Sequence, residues 1–146
     1  MTREAIYAAL FARASAAAAF VSTGRRLVMW TNCAPESQPA LFQRDGDEEF
    51  GARPAQEMPP RRVLEAELWI YAKLDLPAGN VAGAPVALLG DLIDAVEASL
   101  APDLALRRQT LGGLVQHCWI EGKIMKDPGD FDGQAKALIP VRILIP

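Results

Sequence analysis

The chain has 146 residues, of which 51% are hydrophobic, so its length and composition suit one folded domain with a sizeable core and exclude a disordered tail. Its formal net charge is only −3 and its pI is about 5.2, which argues against general affinity for nucleic acid, because that affinity needs many basic contacts to phosphate. Two cysteines are too few for a disulfide framework and favour synthesis in a reducing cytoplasm.

The first 20 residues predict an amphipathic helix rather than a cleaved signal peptide. Thr2 is expected to cap this helix, with Glu4 in its first turn, and the helix is expected to extend to about Ala19. Glu4 and Arg13 interrupt the apolar core that a signal peptide needs, and no run reaches the roughly 20 apolar residues of a membrane helix. The spacing of three to four residues predicts a buried stripe of Ile6, Leu10, Ala14, Ala17 and Val21.

Three strands are expected between the first and second helices. The first two are Arg25–Thr31 and Ala40–Arg44, and a long, mobile, acidic connection at about 45–60 follows them. Strict alternation predicts the third strand at Arg62–Lys73. Its inward residues are expected to be Leu64, Ala66, Leu68, Ile70 and Ala72.

The acidic connection is a candidate partner loop. Its carboxylates, Asp45, Asp47, Glu48 and Glu49, lack the remaining ligands of a calcium loop, so a solvated tip is the default. A loop that orders on meeting a neighbouring subunit is the functional alternative. Arg61 and Arg62 follow this segment. They could pair with acidic groups across an interface, although a simple surface role is equally open.

The second half predicts a loop at Leu76–Ala84, a helix at Pro85–Leu100, and two long strands between Thr110 and Ile145. The fold class is therefore α+β, in one domain spanning 1–146. We expect a mainly antiparallel sheet of about five strands with two helices packed on one face, in the order α-β-β-β-α-β-β. The helix stripe comprises Leu89, Leu92, Ile93, Val96 and Leu100.

The last strand predicts a two-faced sheet. Ala135, Ile139 and Ile143 share one face with other apolar residues, whereas Lys136 and Arg142 lie on the opposite face with large apolar groups. Pro140 lacks a backbone donor, which predicts an edge strand or a bulge.

All three tryptophans are expected on faces that also carry charges. Such a surface is typical of an interface, although the first helix or the long loop could instead cover it within the monomer. The candidate interface residues are Trp30, Arg61, Arg62, Trp69, Tyr71, His117, Trp119 and Arg142.

The sequence gives little indication of catalysis. His117 and Cys118 are adjacent on a strand and point to opposite faces, so they do not converge on one metal ion, and Cys33 lies far away in sequence. Gly112-Gly113 precedes a strand rather than the helix that a phosphate site needs. We therefore expect no enzyme activity, no metal and no cofactor, with Cys118 in the core and His117 at a rim or interface.

Three runs resemble a known family: TREAIYAALFARASAAAAF, LGGLVQHCWIEGKI and, after an acidic Pro-Gly turn, QAKALIPVRILIP. They are similar to small proteins encoded in the tail-morphogenesis region of long-tailed bacteriophages and prophages. The layout resembles the tail terminator group, known as minor tail protein U, and its tail-completion relatives.

The resemblance implies a ring, commonly a hexamer, that caps the tail tube and stops its polymerisation. Its implied partners are other copies of itself, the tail tube protein and the head–tail connector protein, with no membrane and no specific nucleic acid. The implied location is the virion tail, and the host cytoplasm during assembly. A head–tail connector (neck) subunit is the alternative, and a small ligand-binding domain is a further one.

Overall fold

The structure, a computed structural model, describes residues 2–53, 55–73 and 86–146. Within these residues, two helices and a six-stranded sheet confirm the predicted α+β class and its approximate element order. No helix among them is long and apolar enough to span a bilayer. The predicted loop at Leu76–Ala84 and Pro85 lie outside the described residues. The elements are α1 (Arg3–Ser15), β1 (Ser22–Gly24), β2 (Ala40–Phe50), β3 (Arg62–Lys73), α2 (Val86–Ser99), β4 (His117–Ile120), β5 (Met125–Asp127) and β6 (Gln134–Ile145).

The sheet is built around the antiparallel pair of β3 and β6, which run side by side from Arg62 opposite Ile145 to Lys73 opposite Gln134. The strand order is β1-β2-β3-β6-β4, and β5 also pairs with β6. β1 and β2 are parallel, and the other pairs are antiparallel. Both helices lie on one face of this sheet and share a single hydrophobic core with it.

The predicted inward faces are confirmed. Alternate residues of β3 and β6 are buried, as the period of two requires. The Thr2 hydroxyl accepts a hydrogen bond from the Ala5 backbone N–H at 3.2 Å, which confirms the N-cap of α1. The principal core side chains are Ile6, Leu10, Leu64, Leu68, Ile70, Leu89, Leu92, Ile93, Val96, Cys118, Ile139 and Ile143.

The first helix is shorter than predicted. It ends at Ser15, where the Ala17 N–H bonds to the Ala14 carbonyl in a tighter turn. Val21 therefore lies beyond the helix and is exposed, so its predicted place in the buried stripe is wrong.

The predicted strand at Arg25–Thr31 is also wrong. The strand in this region is β1, three residues long, and residues 25–39 form an irregular segment with two short 3-10 turns, Trp30–Asn32 and Pro35–Ser37. We call residues 25–39 the cover segment, because Leu27, Val28, Trp30 and Cys33 pack over one end of the sheet face opposite the helices.

The acidic stretch at 45–50 is a strand rather than a mobile loop. β2 continues to Phe50, and a bulge between Asp45 and Glu48 keeps the register with β3. Gly46 lies at the bulge, where an added Cβ atom would be 3.0 Å from the Glu65 carbonyl oxygen. A side chain at this position would therefore crowd the β3 backbone at Glu65.

The region 110–125 contains less strand than predicted. Leu111, Gly112 and Gly113 all have positive φ angles, so the chain turns before β4 begins at His117. Gly122, also at positive φ, lies in the break between β4 and β5.

That break corrects the expectation that the last strand lies at an edge or contains a bulge, since β6 pairs with β3 without a break in register. β6 is internal, and Pro140 is tolerated because the irregular residues 121–124 lie beside it. The Pro140 carbonyl accepts a bond from the Glu121 N–H on that side, which is also the side to which proline presents no donor.

Candidate subunit interface

The face of the sheet opposite the helices is called the outer face. Strand pairing places its side chains in rows across β2, β3, β6 and β4 or β5. Four successive rows lie along the strands. The first contains Phe42, Trp69, Leu138 and Met125, and the second contains Arg44, Glu67 and Pro140. The third contains Glu65, Arg142 and Trp119, and the fourth contains Glu49, Val63, Leu144 and His117. Large apolar groups and charges therefore alternate across one surface.

Arg142 lies at the centre of this face. Its guanidinium contacts Glu65 at 2.8 Å and Glu121 at 2.9 Å, and Glu49 lies 3.9 Å away. The hydrogen bond that Arg142 donates to Glu65 and the charges of the neighbouring carboxylates raise the pKa of Arg142 above its usual value. One cation thus joins carboxylates from β2, from β3 and from the break after β4.

Trp69 and Trp119 are both half-buried on the outer face. The Trp69 indole Nε1–H donates a 2.9 Å hydrogen bond to Glu67, which also pairs with Arg44 at 3.1 Å. Trp119 stacks on His117 with a centroid distance of 5.1 Å. The His117 Nδ1 atom accepts a bond from the Gln109 N–H, so the imidazole is fixed in the stack. These contacts orient two aromatic surfaces without burying them fully.

Of two other predicted interface residues, Tyr71 is covered by the chain itself and Trp30 is half-buried in the cover segment. Tyr71 is only 2% exposed, and its hydroxyl donates to the Val28 carbonyl at 2.6 Å. Burial under the cover segment raises the pKa of Tyr71 to about 12. Trp30 lies within the cover segment, with the Lys136 ammonium 3.7 Å from its ring centroid. One end of this face is therefore covered within the monomer. The covering residues belong to the cover segment, and not to the first helix or the 45–60 stretch.

The structure does not group the remaining two arginines with the tryptophans. Arg61 is exposed in the connection before β3. Arg62 opens β3 on the helix side, where its guanidinium lies 5.8 Å from the Phe50 ring centroid. Trp69, His117, Trp119 and Arg142 are thus brought together, whereas Arg61 and Arg62 lie apart from them.

The candidate partner loop of acidic residues is divided by the bulge. Glu48 points to the helix side and pairs with Arg3, which lowers the pKa of Glu48. Asp45 pairs with Arg25 at 3.0 Å, and Arg25 also contacts Glu4. Asp47 is exposed, and Glu49 faces Arg142. Glu48, Asp45 and Glu49 therefore connect β2 to α1, to the cover segment and to β6, so this stretch is not a free tip.

A hollow of about 580 Å³ lies on the outer face, with Leu138 and Pro140 among its apolar lining residues. Most of its charged groups are already paired: Arg142 binds Glu65 and Glu121, Arg44 binds Glu67, and Asp45 binds Arg25, whereas Asp47 is exposed. Polar groups paired in this way are less suited to fix a small ligand than unpaired convergent groups are.

Metal or thiol chemistry receives no support from the described part of the chain, which holds no cluster of side chains suited to a metal ion. Cys118 is fully buried, as predicted, and burial raises the pKa of its thiol to about 12. The neutral thiol is therefore a core group at ordinary pH.

Sequence reasoning missed two exposed apolar features. Leu104 and Leu106 project from the turn after α2, and Phe131 projects from the turn between β5 and β6. The sequence does contain an indication that these leucines are exposed. They lie between Pro102 and Arg107-Arg108, in a stretch where neither helix nor strand spacing would bury them.

The comparisons with known proteins complete the description. A scan of the chain against protein-family models gives no match. A search of curated proteins likewise gives no match.

Proposed function

We propose that this protein is a structural subunit that assembles with copies of itself into a ring, and that the ring acts as a bacteriophage or prophage tail terminator. The supporting observation is the outer face, where Trp69 and Trp119 are half-buried among charges on a sheet whose other face already holds the core. Interface cores are enriched in aromatic residues and arginine, and Arg142 lies on the same face, directly opposite Trp119 on the neighbouring strand.

The physical reason for assembly is the apolar area that this face leaves in water. Burying a large side chain completely contributes about 1.5–3 kcal/mol, and several half-buried groups on one surface contribute together. The ion pairs of Arg142 and Glu67 would stay satisfied in an interface because their partners lie on the same chain. The outer face can therefore be covered without leaving these charges unpaired.

A ring requires two different surfaces on each copy, so that each subunit binds the next one head to tail. A ring of this kind on the end of the tail tube would block addition of further tube subunits. Its opposite side would then face the head–tail connector. The tube protein and the connector are accordingly the proposed partners, and no cofactor enters the proposal.

The test is to delete the gene from a phage or inducible prophage that encodes this chain and to examine the particles by electron microscopy. A terminator predicts tails of uncontrolled length that fail to join heads. Tails of normal length that remain separate from heads would reject the terminator and support the connector. Complete particles of normal length would reject both roles.

A further inference from the structure

A projecting turn follows α2. Within it, Leu104 is 96% exposed, Leu106 is half exposed, and the neighbouring Arg107 and Arg108 are exposed as well. A fully exposed leucine beside two guanidinium groups combines an apolar contact with positive charge on one convex feature. Such a combination fits an acidic surface that also offers apolar contacts.

The turn is held in a fixed shape by its own hydrogen bonds. The Asp103 carboxylate accepts bonds from the backbone N–H groups of Ala105 and Leu106, at 2.8 and 2.9 Å. The Arg107 N–H bonds to the Asp103 carbonyl at 2.7 Å, and the Asp103 N–H bonds to the Arg108 carbonyl at 3.1 Å. A preordered turn loses little conformational entropy when it binds, so its exposed leucines can contribute more to affinity.

The outer-face hollow is complementary to this turn in shape and charge. It is concave, has a volume of about 580 Å³, and is lined by five carboxylates and two guanidinium groups. Leu138 and Pro140 supply apolar surface within it, and Glu67 and Glu121 lie on its walls. Asp45 is also paired with Arg25, so five carboxylates face three guanidinium groups, and the remaining negative charge favours added positive charge there.

We propose that the turn of one copy seats in the outer-face hollow of the next copy. Leu104 and Leu106 then contact Leu138 and Pro140, while Arg107 and Arg108 approach the surplus carboxylates. This inference rests on the proposed ring-forming function and assigns the two surfaces that function needs. The contact is heterologous, so it closes a ring when the rotation between copies is a whole fraction of a turn with no shift along the ring axis.

Disulfide trapping between separately made variants tests the contact. Leu104→Cys and Glu121→Cys each add one exposed thiol to a chain whose own Cys33 and Cys118 are buried. Mild oxidation of the mixed variants is expected to give a cross-linked dimer containing one chain of each. Either variant alone is expected to stay uncross-linked, because a head-to-tail contact does not bring identical positions together. Val21→Cys, exposed elsewhere on the surface, is the matched control.

The outcomes separate this contact from the ring itself. If light scattering shows an oligomer but the Leu104→Cys and Glu121→Cys mixture cross-links no faster than the Val21→Cys control, the contact is wrong and the ring stands. Cross-linking of Leu104→Cys with itself would overturn the contact as well. A chain that stays monomeric at every concentration, with or without tail tube protein, would remove both proposals.

A charge exchange provides a second readout. The double variant Arg107→Glu, Arg108→Glu is expected to weaken self-association by about tenfold or more. Adding Asp47→Arg, at an exposed carboxylate of the hollow, is expected to restore part of that affinity. Equal affinity in all three proteins would place the turn outside the interface and overturn the contact.

Discussion

The Tyr71 hydroxyl donates a 2.6 Å hydrogen bond to the Val28 carbonyl, and this bond fastens the cover segment over one end of the outer face. Tyr71 comes from the central strand β3, whereas Val28 lies in irregular chain 43 residues earlier. The bond therefore divides the outer face into an end that the chain covers itself and a remainder carrying Trp119 and Arg142, with Trp69 packed at the boundary between them.

Replacing Tyr71 with phenylalanine removes this bond and is expected to lower the free energy of unfolding by about 1 kcal/mol. It should also speed the labelling of the Cys33 thiol, which is buried under the cover segment. Tyr7→Phe is the matched control, because the Tyr7 hydroxyl bonds to the Glu65 carbonyl and does not touch the cover segment. Equal Cys33 labelling rates in both variants, measured with a thiol reagent, would show that Tyr71 does not secure the segment.

Stability should fall in alkali. Burial raises the pKa of the Cys118 thiol from 9.0 to about 12 and that of the Tyr7 and Tyr71 hydroxyls from 10.0 to about 12. Above pH 9 the unfolded chain loses these protons before the folded chain does, so stability is fully present below pH 9 and declines towards pH 12.

Cysteine variants identify the onset of this decline. Burial also raises the pKa of Cys33, so Cys33→Ala is the reference protein. Adding Cys118→Ala to that reference should move the start of the decline from about pH 9 to about pH 10, as followed by chemical denaturation at each pH. An unchanged onset would contradict the buried, neutral state of Cys118.

Arg142→Met is expected to destabilise the chain, because Glu49, Glu65 and Glu121 then repel one another without the shared guanidinium. The loss should shrink as salt is added, since these groups are partly exposed. Thermal unfolding at low and high salt measures the loss of stability. Adding Glu65→Gln and Glu121→Gln to Arg142→Met should recover most of that loss. A loss independent of salt would indicate a packing role for Arg142 instead.

The far end of β2 should be ordered in the free subunit. Glu48, Glu49 and Phe50 lie opposite Leu64, Val63 and Arg62, and the Gly51 N–H bonds to the Arg61 carbonyl at 2.7 Å. Hydrogen exchange on the monomer is expected to show slow exchange at backbone amides paired across β2 and β3. Fast exchange from 45 to 50 throughout would restore the mobile-loop interpretation.

Trp119→Ser is expected to weaken self-association by about tenfold or more while leaving the fold intact, because the indole is half-buried on the outer face. Val21→Ser, which replaces an exposed apolar side chain elsewhere, should have no such effect. Light scattering across a concentration series measures both variants, and circular dichroism checks the fold. Equal effects of the two substitutions would argue against Trp119 as an interface anchor.

Elements with a strict local period could be predicted from the sequence. β3 was placed at its observed bounds because Leu64, Leu68 and Ile70 alternate with polar or aromatic neighbours. The stripe of α2 was placed correctly for the same reason. In both elements the apolar pattern and the tertiary environment agree, so local spacing was sufficient.

Elements fixed by distant partners could not be predicted in this way. Leu27, Val28 and Met29 alternate as a strand would, yet their segment is held by Tyr71 and covers the sheet. The acidic end of β2 resembles a loop locally, but Glu48 is paired with Arg3, 45 residues earlier. Pro140 taken alone predicts an edge strand or a bulge. The break after β4 that accommodates it lies elsewhere in the chain, so the local pattern around Pro140 does not reveal it.

The candidate interface was predictable in composition but not in extent. Trp69, Trp119 and Arg142 share the outer face because alternation in β3, β4 and β6 sets their direction. The projecting turn with Leu104 was missed, since its exposure depends on the Asp103 hydrogen bonds rather than on any period.

The most direct test of the account is hydroxyl-radical footprinting of the tryptophans across the concentration range in which the chain self-associates. We expect Trp69 and Trp119 to become protected as oligomers form, while Trp30, already packed against Lys136 in its own chain, changes little. Equal labelling of Trp69 and Trp119 in monomer and oligomer would contradict the claim that a second copy covers the outer face.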